Sequence, residues 1–267
     1  MISLEAITRP TRDILQASRT MTDNEVRYMV DAYYQMQEYR KAVANQIGSL
    51  ERSVDTGGTH QTLDWMLAQV STMEAQIERA MDVYSQSHIV GDWLRAHYGI
   101  GPIIAAGLLA HIDISKCPTV GHIWRFAGLD PTLKWERGKK RPFNAELKTL
   151  CWKIGQCFMK FSGRAECFYG GIYRERKAYE IERNEAGGNA EAAAAILEAR
   201  PTHAQKAIYA TGKLPPAQID ARARRYAVKL FLAHLHAEWY ERVNGTKPPL
   251  PYAIAQLGHA HLIPAPH

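Results

Sequence analysis

Nothing in this sequence of 267 residues approaches the roughly eighteen consecutive apolar residues of a membrane-crossing helix, so no membrane partner is expected. The opening residues, Met1-Ile2-Ser3-Leu4-Glu5, lack the charged, then apolar, then small-residue order of an export signal. A cytoplasmic location is therefore expected, at the nucleoid if the source is bacterial. Cysteine is sparse: Cys117, Cys151, Cys157 and Cys167 form no Cys-x-x-Cys pair and have no histidine at zinc spacing. That pattern argues for free thiols in a reducing compartment. Period-two alternation is scarce, which disfavours half-buried strands, and no repeat of fixed period is evident. What is present, 46% hydrophobic and 22% charged residues, is the composition of a folded chain rather than a disordered one.

Charge is unevenly distributed. Residues 1–94 carry 8 Lys and Arg against 13 Asp and Glu, whereas residues 134–183 carry 13 against 6. An acidic first third followed by a basic middle is the asymmetry of a polyanion-binding chain with a separate interaction arm. A lysine-rich helix face that is merely solvated would give the same count.

Three parts are expected: 1–90, 91–165 and 166–267. In the first, Thr22 and Asp23 are good N-cap residues with Glu25 close behind. Apolar residues then recur at Val26, Met29, Tyr33, Met36, Tyr39, Val43, Ile47 and Leu50, in steps of three and four that mark one helix face. After a turn at Asp55-Thr56-Gly57-Gly58-Thr59, a second run reads Leu63, Met66, Val70, Met73, Ile77, Ala80, Tyr84, a heptad seam. The two runs predict an antiparallel coiled-coil hairpin, through which the chain is expected to form a homo-oligomer. The third part begins with a helix over Tyr169 to Arg183, then Gly187-Gly188 and an alanine-rich run from Ala190 to Ala199. A last helix, roughly Ala217 to Val243, carries Arg222, Arg224, Arg225 and Lys229 near its start. Asn244-Gly245 stops it, and Pro248-Pro249-Leu250-Pro251 opens an extended tail. The expected fold class is all-α: a coiled-coil hairpin followed by a domain containing a helix-hairpin-helix.

The middle part holds the most specific motif. Trp93 to Tyr98 reads as a helix end, Gly99-Ile100-Gly101-Pro102 as a turn, and Ile103 to Ile112 as an apolar helix. Glycine takes positive φ and admits a close backbone approach, and proline at the first helical position forfeits no needed N–H. Ile100 can tuck between the helices, leaving backbone N–H groups at Gly101 and Ile103 for a phosphate oxygen. A tight helical corner with no ligand would look the same. Behind it lie Pro118-Thr119, then Ala127-Gly128-Leu129-Asp130-Pro131 and a basic loop with Arg137, Lys139, Lys140 and Arg141. Lys148 and Lys153 offer further phosphate contacts on a following helix, in which Trp152 and Phe158 are expected in the core. Trp135, inside the loop, reads either as a buried anchor or as a platform for an unpaired base.

This order of motifs, from about Leu94 to Arg141, resembles the C-terminal domain of the bridge-RNA-guided insertion-sequence transposases, the DEDD-transposase family. There too a Gly-Ile-Gly-Pro hairpin leads into an Ala/Leu-rich helix, a Tyr/Phe-Ala-Gly-Leu-x-Pro element and a basic loop. The helix from Leu63 to Tyr84 is similar to the coiled-coil helix that precedes this domain. The resemblance implies DNA as partner, with RNA open because a guide RNA belongs to the family's biology. The departures are equally informative. The family's upstream nuclease domain with four acidic metal ligands has no counterpart in the helical arm. Its nucleophilic serine falls where this chain has Thr132-Leu133-Lys134-Trp135-Glu136.

The expectation is thus a non-catalytic, transposase-derived nucleic-acid-binding protein of a mobile element or phage, with no cofactor and no metal. Its candidate contacts are Gly99, Ile100, Gly101, Ile103, Arg137, Lys139, Lys140, Arg141 and Lys148. Two rivals stand: a recombinase or nuclease needing a partner domain, and an interaction protein using its acidic coiled coil. His234 and His236, two apart on a helix, do not share a face and are not expected to chelate together. His259 and His261 fall in a loop without a clear carboxylate partner. Tyr169, Tyr173 and Tyr179 read as packing residues. Glu175, Glu180 and Glu182 read as salt-bridge partners on an exposed face.

Overall fold

The computed structural model describes residues 9–52, 61–250 and 262–266. Among these residues every regular element is helical, as expected: eleven α-helices and two short 3-10 turns. The expected turn at 55–59 and the pair His259 and His261 lie outside the described residues. The chain forms two compact units. One comprises the described residues to Arg95 together with Gly101–Asp113, and the other Ala96–Ile100 together with the described residues from Ile114 onward. The expected segment 91–165 is thus shared between both units.

In the first unit, α1 (Arg12–Ala17) precedes the long α2 (Asp23–Glu51), with α3 (Gln61–Ser87), α4 (Gly91–Ala96) and α5 (Pro102–His111) after it. Thr22 starts α2 with a capping box: its N–H donates to Glu25 Oε2 at 2.7 Å, and its hydroxyl accepts from the Glu25 N–H. The Thr22 N–H, together with the Thr22 hydroxyl donating to the same oxygen at 2.8 Å, holds the Glu25 carboxyl below its usual range. Helices α2 and α3 run antiparallel, since Tyr84 near the end of α3 lies within the field of Asp23 and Arg27 at the start of α2, while Tyr39 further along α2 reaches Met66 near the start of α3. Arg40 pairs with Glu74 at 2.5 Å. Of the expected seam, Val70, Ile77 and Tyr84 are buried, whereas Met73 is 39% exposed. Met73 and Ala80 line an apolar groove with Ile14 and Leu15 of α1, so one heptad pattern serves two surfaces. Helix α5 is apolar on every side from Ile103 to Ala110 and buried through His111, and such a helix must be enclosed. It packs on α2 and α3, and this places it with the hairpin rather than with the segment that follows it in sequence.

The second unit holds α6 (Val120–Phe126), α7 (Ala145–Lys160), α8 (Phe168–Glu185), α9 (Ala190–Ala199), α10 (Lys206–Ala210) and α11 (Pro216–Asn244). Helix α11 is its axis and contacts α6, α7 and α8. Its heart is aromatic: Phe158, Tyr169 and Phe231 lie with ring centroids 5.1–5.6 Å apart. Tyr169 and Tyr173 are buried as expected, while Tyr179 is half exposed. His234 Nδ1 meets the Tyr169 hydroxyl at 2.9 Å and its Nε2 the Ile263 carbonyl at 2.8 Å. His236 Nε2 instead meets the Cys117 carbonyl at 2.7 Å, so the two histidines do serve separate partners.

Glu180 departs from expectation. It is 2% exposed, with Arg176 Nη2 at 2.6 Å and Arg222 Nη1 at 3.6 Å. Arg222 continues to Asn189 (2.6 Å) and Asn189 to Asn184 (2.9 Å), whose side chain also bonds both backbone groups of Leu214. A face that reads as solvated from the charges of α8 alone is covered once α11 lies against it.

Candidate nucleic-acid interface

The cationic loop is built from both ends. Helix α6 terminates in a Schellman motif: the Leu129 N–H donates to the Trp124 carbonyl (2.8 Å) and the Gly128 N–H to that of Arg125 (3.1 Å). Gly128 adopts φ +64°, and a Cβ there would stand 2.9 Å from Phe143 Cγ. The Ala127-Gly128-Leu129 element is therefore a helix stop that also seats Phe143. At the far end Asn144 caps α7, its side chain accepting from the Leu147 N–H at 2.8 Å, while its own N–H donates to the Phe126 carbonyl, also at 2.8 Å. These bonds pin residues 126 and 144 together and make 127–143 a closed loop.

Within it a β-turn reverses the chain. The Lys139 N–H donates to the Glu136 carbonyl at 3.1 Å, with Gly138 at φ +87°, the value a type II turn requires at its third residue. Lys134, Arg137, Lys139, Lys140 and Arg141 are all exposed, and among the described residues none of these side chains has a carboxylate partner. Trp135 was expected to be buried if it anchored the loop; its Nε1 does donate to the Lys139 carbonyl at 2.8 Å, but the residue stays 44% exposed. The Arg141 guanidinium lies over its ring, 5.7 Å from the centroid.

The Thr132 hydroxyl and N–H both donate to Asp130 Oδ1, at 2.8 and 2.9 Å. Those bonds, the backbone one foremost, hold the Asp130 carboxyl below its usual range.

On α7, Lys148 is exposed, with its ammonium 4.1 Å from the Phe143 ring centroid. Trp152 was expected in the core and is 60% exposed, whereas Phe158 is fully buried as expected. The apolar stripe of α7 runs through Leu147, Leu150, Cys151, Ile154 and Phe158, leaving position 152 on the opposite side. Lys229 of α11 adds a cation that sequence reading noted without assigning it to the interface. Its ammonium stands 4.1 Å from the Trp124 ring centroid, and burial lowers its pKa, opposed by the Asp130 charge.

The Gly-Ile-Gly turn lies where the chain leaves one unit for the other. Gly99, at φ +93°, packs its backbone against Cys157 and Phe158. Ile100 and Ile103 are 2% and 5% exposed, so their side chains are core and only their backbone could meet a ligand. Gly101 differs: at φ −82° and ψ 175°, with nothing within 4 Å of an added Cβ, neither conformation nor packing requires glycine there.

No protein-family model, characterised protein or solved structure matches this chain.

Proposed function

We propose that this chain is a non-catalytic nucleic-acid-binding protein that holds the sugar-phosphate backbone of DNA. The observation that carries this reading is the closed loop 127–143, which presents five exposed cations without carboxylate partners. Cations collected where no internal partner offsets them are suited to an external polyanion, and phosphate contacts are the commonest form of that pairing. The backbone N–H groups at Gly101 and Ile103, opening a ten-residue helix behind a glycine that the fold does not demand, supply a second kind of anion donor. The similarity of the stretch from Leu94 to Arg141 to a transposase domain extends the proposal to a transposase-derived protein of a mobile element or phage.

The test is a gel-shift series with labelled duplex DNA. Alanines at Lys139, Lys140 and Arg141 together should weaken binding by about ten-fold or more at moderate salt. Binding indifferent both to these changes and to salt would sink the proposal. Association of two copies through the α2–α3 hairpin belongs to the same reading, supported by exposed Tyr28, Tyr39 and Trp65 on its surface. Sedimentation velocity should then give twice the mass of one chain, and a monomer at all concentrations would remove this part.

A further inference from the structure

We infer that the loop binds unpaired nucleotides, with Trp135 as the platform on which a base stacks. This rests on the reading of the loop as a nucleic-acid contact and specifies which form of nucleic acid it takes. The indole is held in one plane by its bond to the Lys139 carbonyl, at 2.8 Å, yet 44% of the residue is left open to solvent. A tryptophan serving only as an anchor would gain by burying its ring, since exposed apolar area is unfavourable. Here the ring is both fixed and exposed, so a ligand can use it without first ordering it.

Its surroundings match the chemistry of a nucleotide on both counts. Arg141 lies over the ring, and a guanidinium is planar and also stacks on bases. The turn at Glu136–Lys139 doubles the chain back, so that exposed Lys134 and Arg137 precede the reversal and exposed Lys139, Lys140 and Arg141 follow it, all within six residues of Trp135 in the chain. A nucleotide whose base meets the ring carries its phosphates into a loop whose cations have no carboxylate partner among the described residues. In an intact duplex the base faces are covered by their neighbours, and a flat ring in a phosphate-binding loop has nothing to stack on. A single strand leaves those faces open. Helix α7 repeats the pairing one turn apart, with exposed Lys148 followed four residues later by Trp152, 60% exposed.

The experiment measures fluorescence anisotropy of the full chain with three labelled probes of equal length: oligo-thymidylate, an abasic strand and a duplex. Wild type should bind oligo-thymidylate roughly ten-fold or more tighter than the abasic strand, which has the same phosphates and no base faces. Trp135→Ala should erase that difference, and Trp135→Phe, which keeps a ring but not the bond to the Lys139 carbonyl, should restore part of it. Equal wild-type affinity for the base-bearing and abasic strands overturns the inference, and needs no variant to fold. If that equality comes with salt-dependent binding lost on alanine substitution of Lys139, Lys140 and Arg141, backbone gripping stands and stacking falls. If no probe is bound, both readings fall.

Discussion

A methyl group added at Gly128 would press on Phe143 at 2.9 Å, and the alanine carrying it would have to hold φ +64°. One added at Gly101 would meet neither obstacle. Gly128→Ala should accordingly cost about 1–3 kcal/mol in urea unfolding, combining the left-handed backbone with overpacking. Gly101→Ala should leave stability within about 0.5 kcal/mol. If phosphate approaches the Gly101 backbone, Gly101→Asp should fold normally and bind nucleic acid more weakly, because its charge repels the ligand. Unchanged affinity would remove the turn from the interface. Glu180 carries a different constraint. Truncation to alanine leaves Arg176 and Arg222 without the carboxylate they share, so a loss of about 3 kcal/mol is expected, while exposed Glu175 should tolerate the same change.

At the scale of elements, consecutive glycines in α8 give a paired test of how α7 and α8 meet. A Cβ at Gly170 would stand 2.8 Å from Ser162 Cα and 3.0 Å from the Phe158 carbonyl oxygen, both backbone atoms, whereas one at Gly171 meets open space. Gly170→Ala should lower the melting temperature, and Gly171→Ala should raise stability by up to about 1 kcal/mol through helix propensity. Thermal unfolding showing the same sign for both would contradict this packing. The elements differ in how far the sequence announces them. The start of α2 is written in Thr22 and Glu25, the end of α11 in Gly245 at φ +69°, and α9 in its alanine run, because capping and propensity act within a few residues. Helix α10, five residues long, has too little periodicity to reveal itself. The exposure of Met73 and Trp152 and the burial of Glu180 depend on which helices come to lie alongside, and a single helix's pattern does not specify its neighbours. For the candidate interface, the cations of the loop were legible as charge. The exposed, anchored state of Trp135 required the turn that brings the Lys139 carbonyl to it.

Over the whole molecule, several histidines, three buried and His88 half-buried, are held toward the neutral form. Burial is the leading cause at His88, His234 and His236, which titrate below the usual value, and at His111, pushed down to about 4. Each takes up a proton more readily unfolded than folded, so their contribution is complete above about pH 6.5 and is lost as pH falls toward 4. Carboxylates held low by their bonds, Glu25 and Asp130 among them, act in the same direction at still lower pH. Urea midpoints should fall steadily from pH 7 to pH 4.5, and a flat profile would show that these groups are not buried as described. Charge at this scale also bears on the proposed function, since an acidic first third precedes a basic middle. The most direct measurement of that function is the salt dependence of nucleic-acid affinity for wild type and for the triple alanine variant at Lys139, Lys140 and Arg141. A log–log slope shallower by roughly two to three units in the variant is predicted. Identical slopes, or no binding by wild type at low salt, would contradict the account.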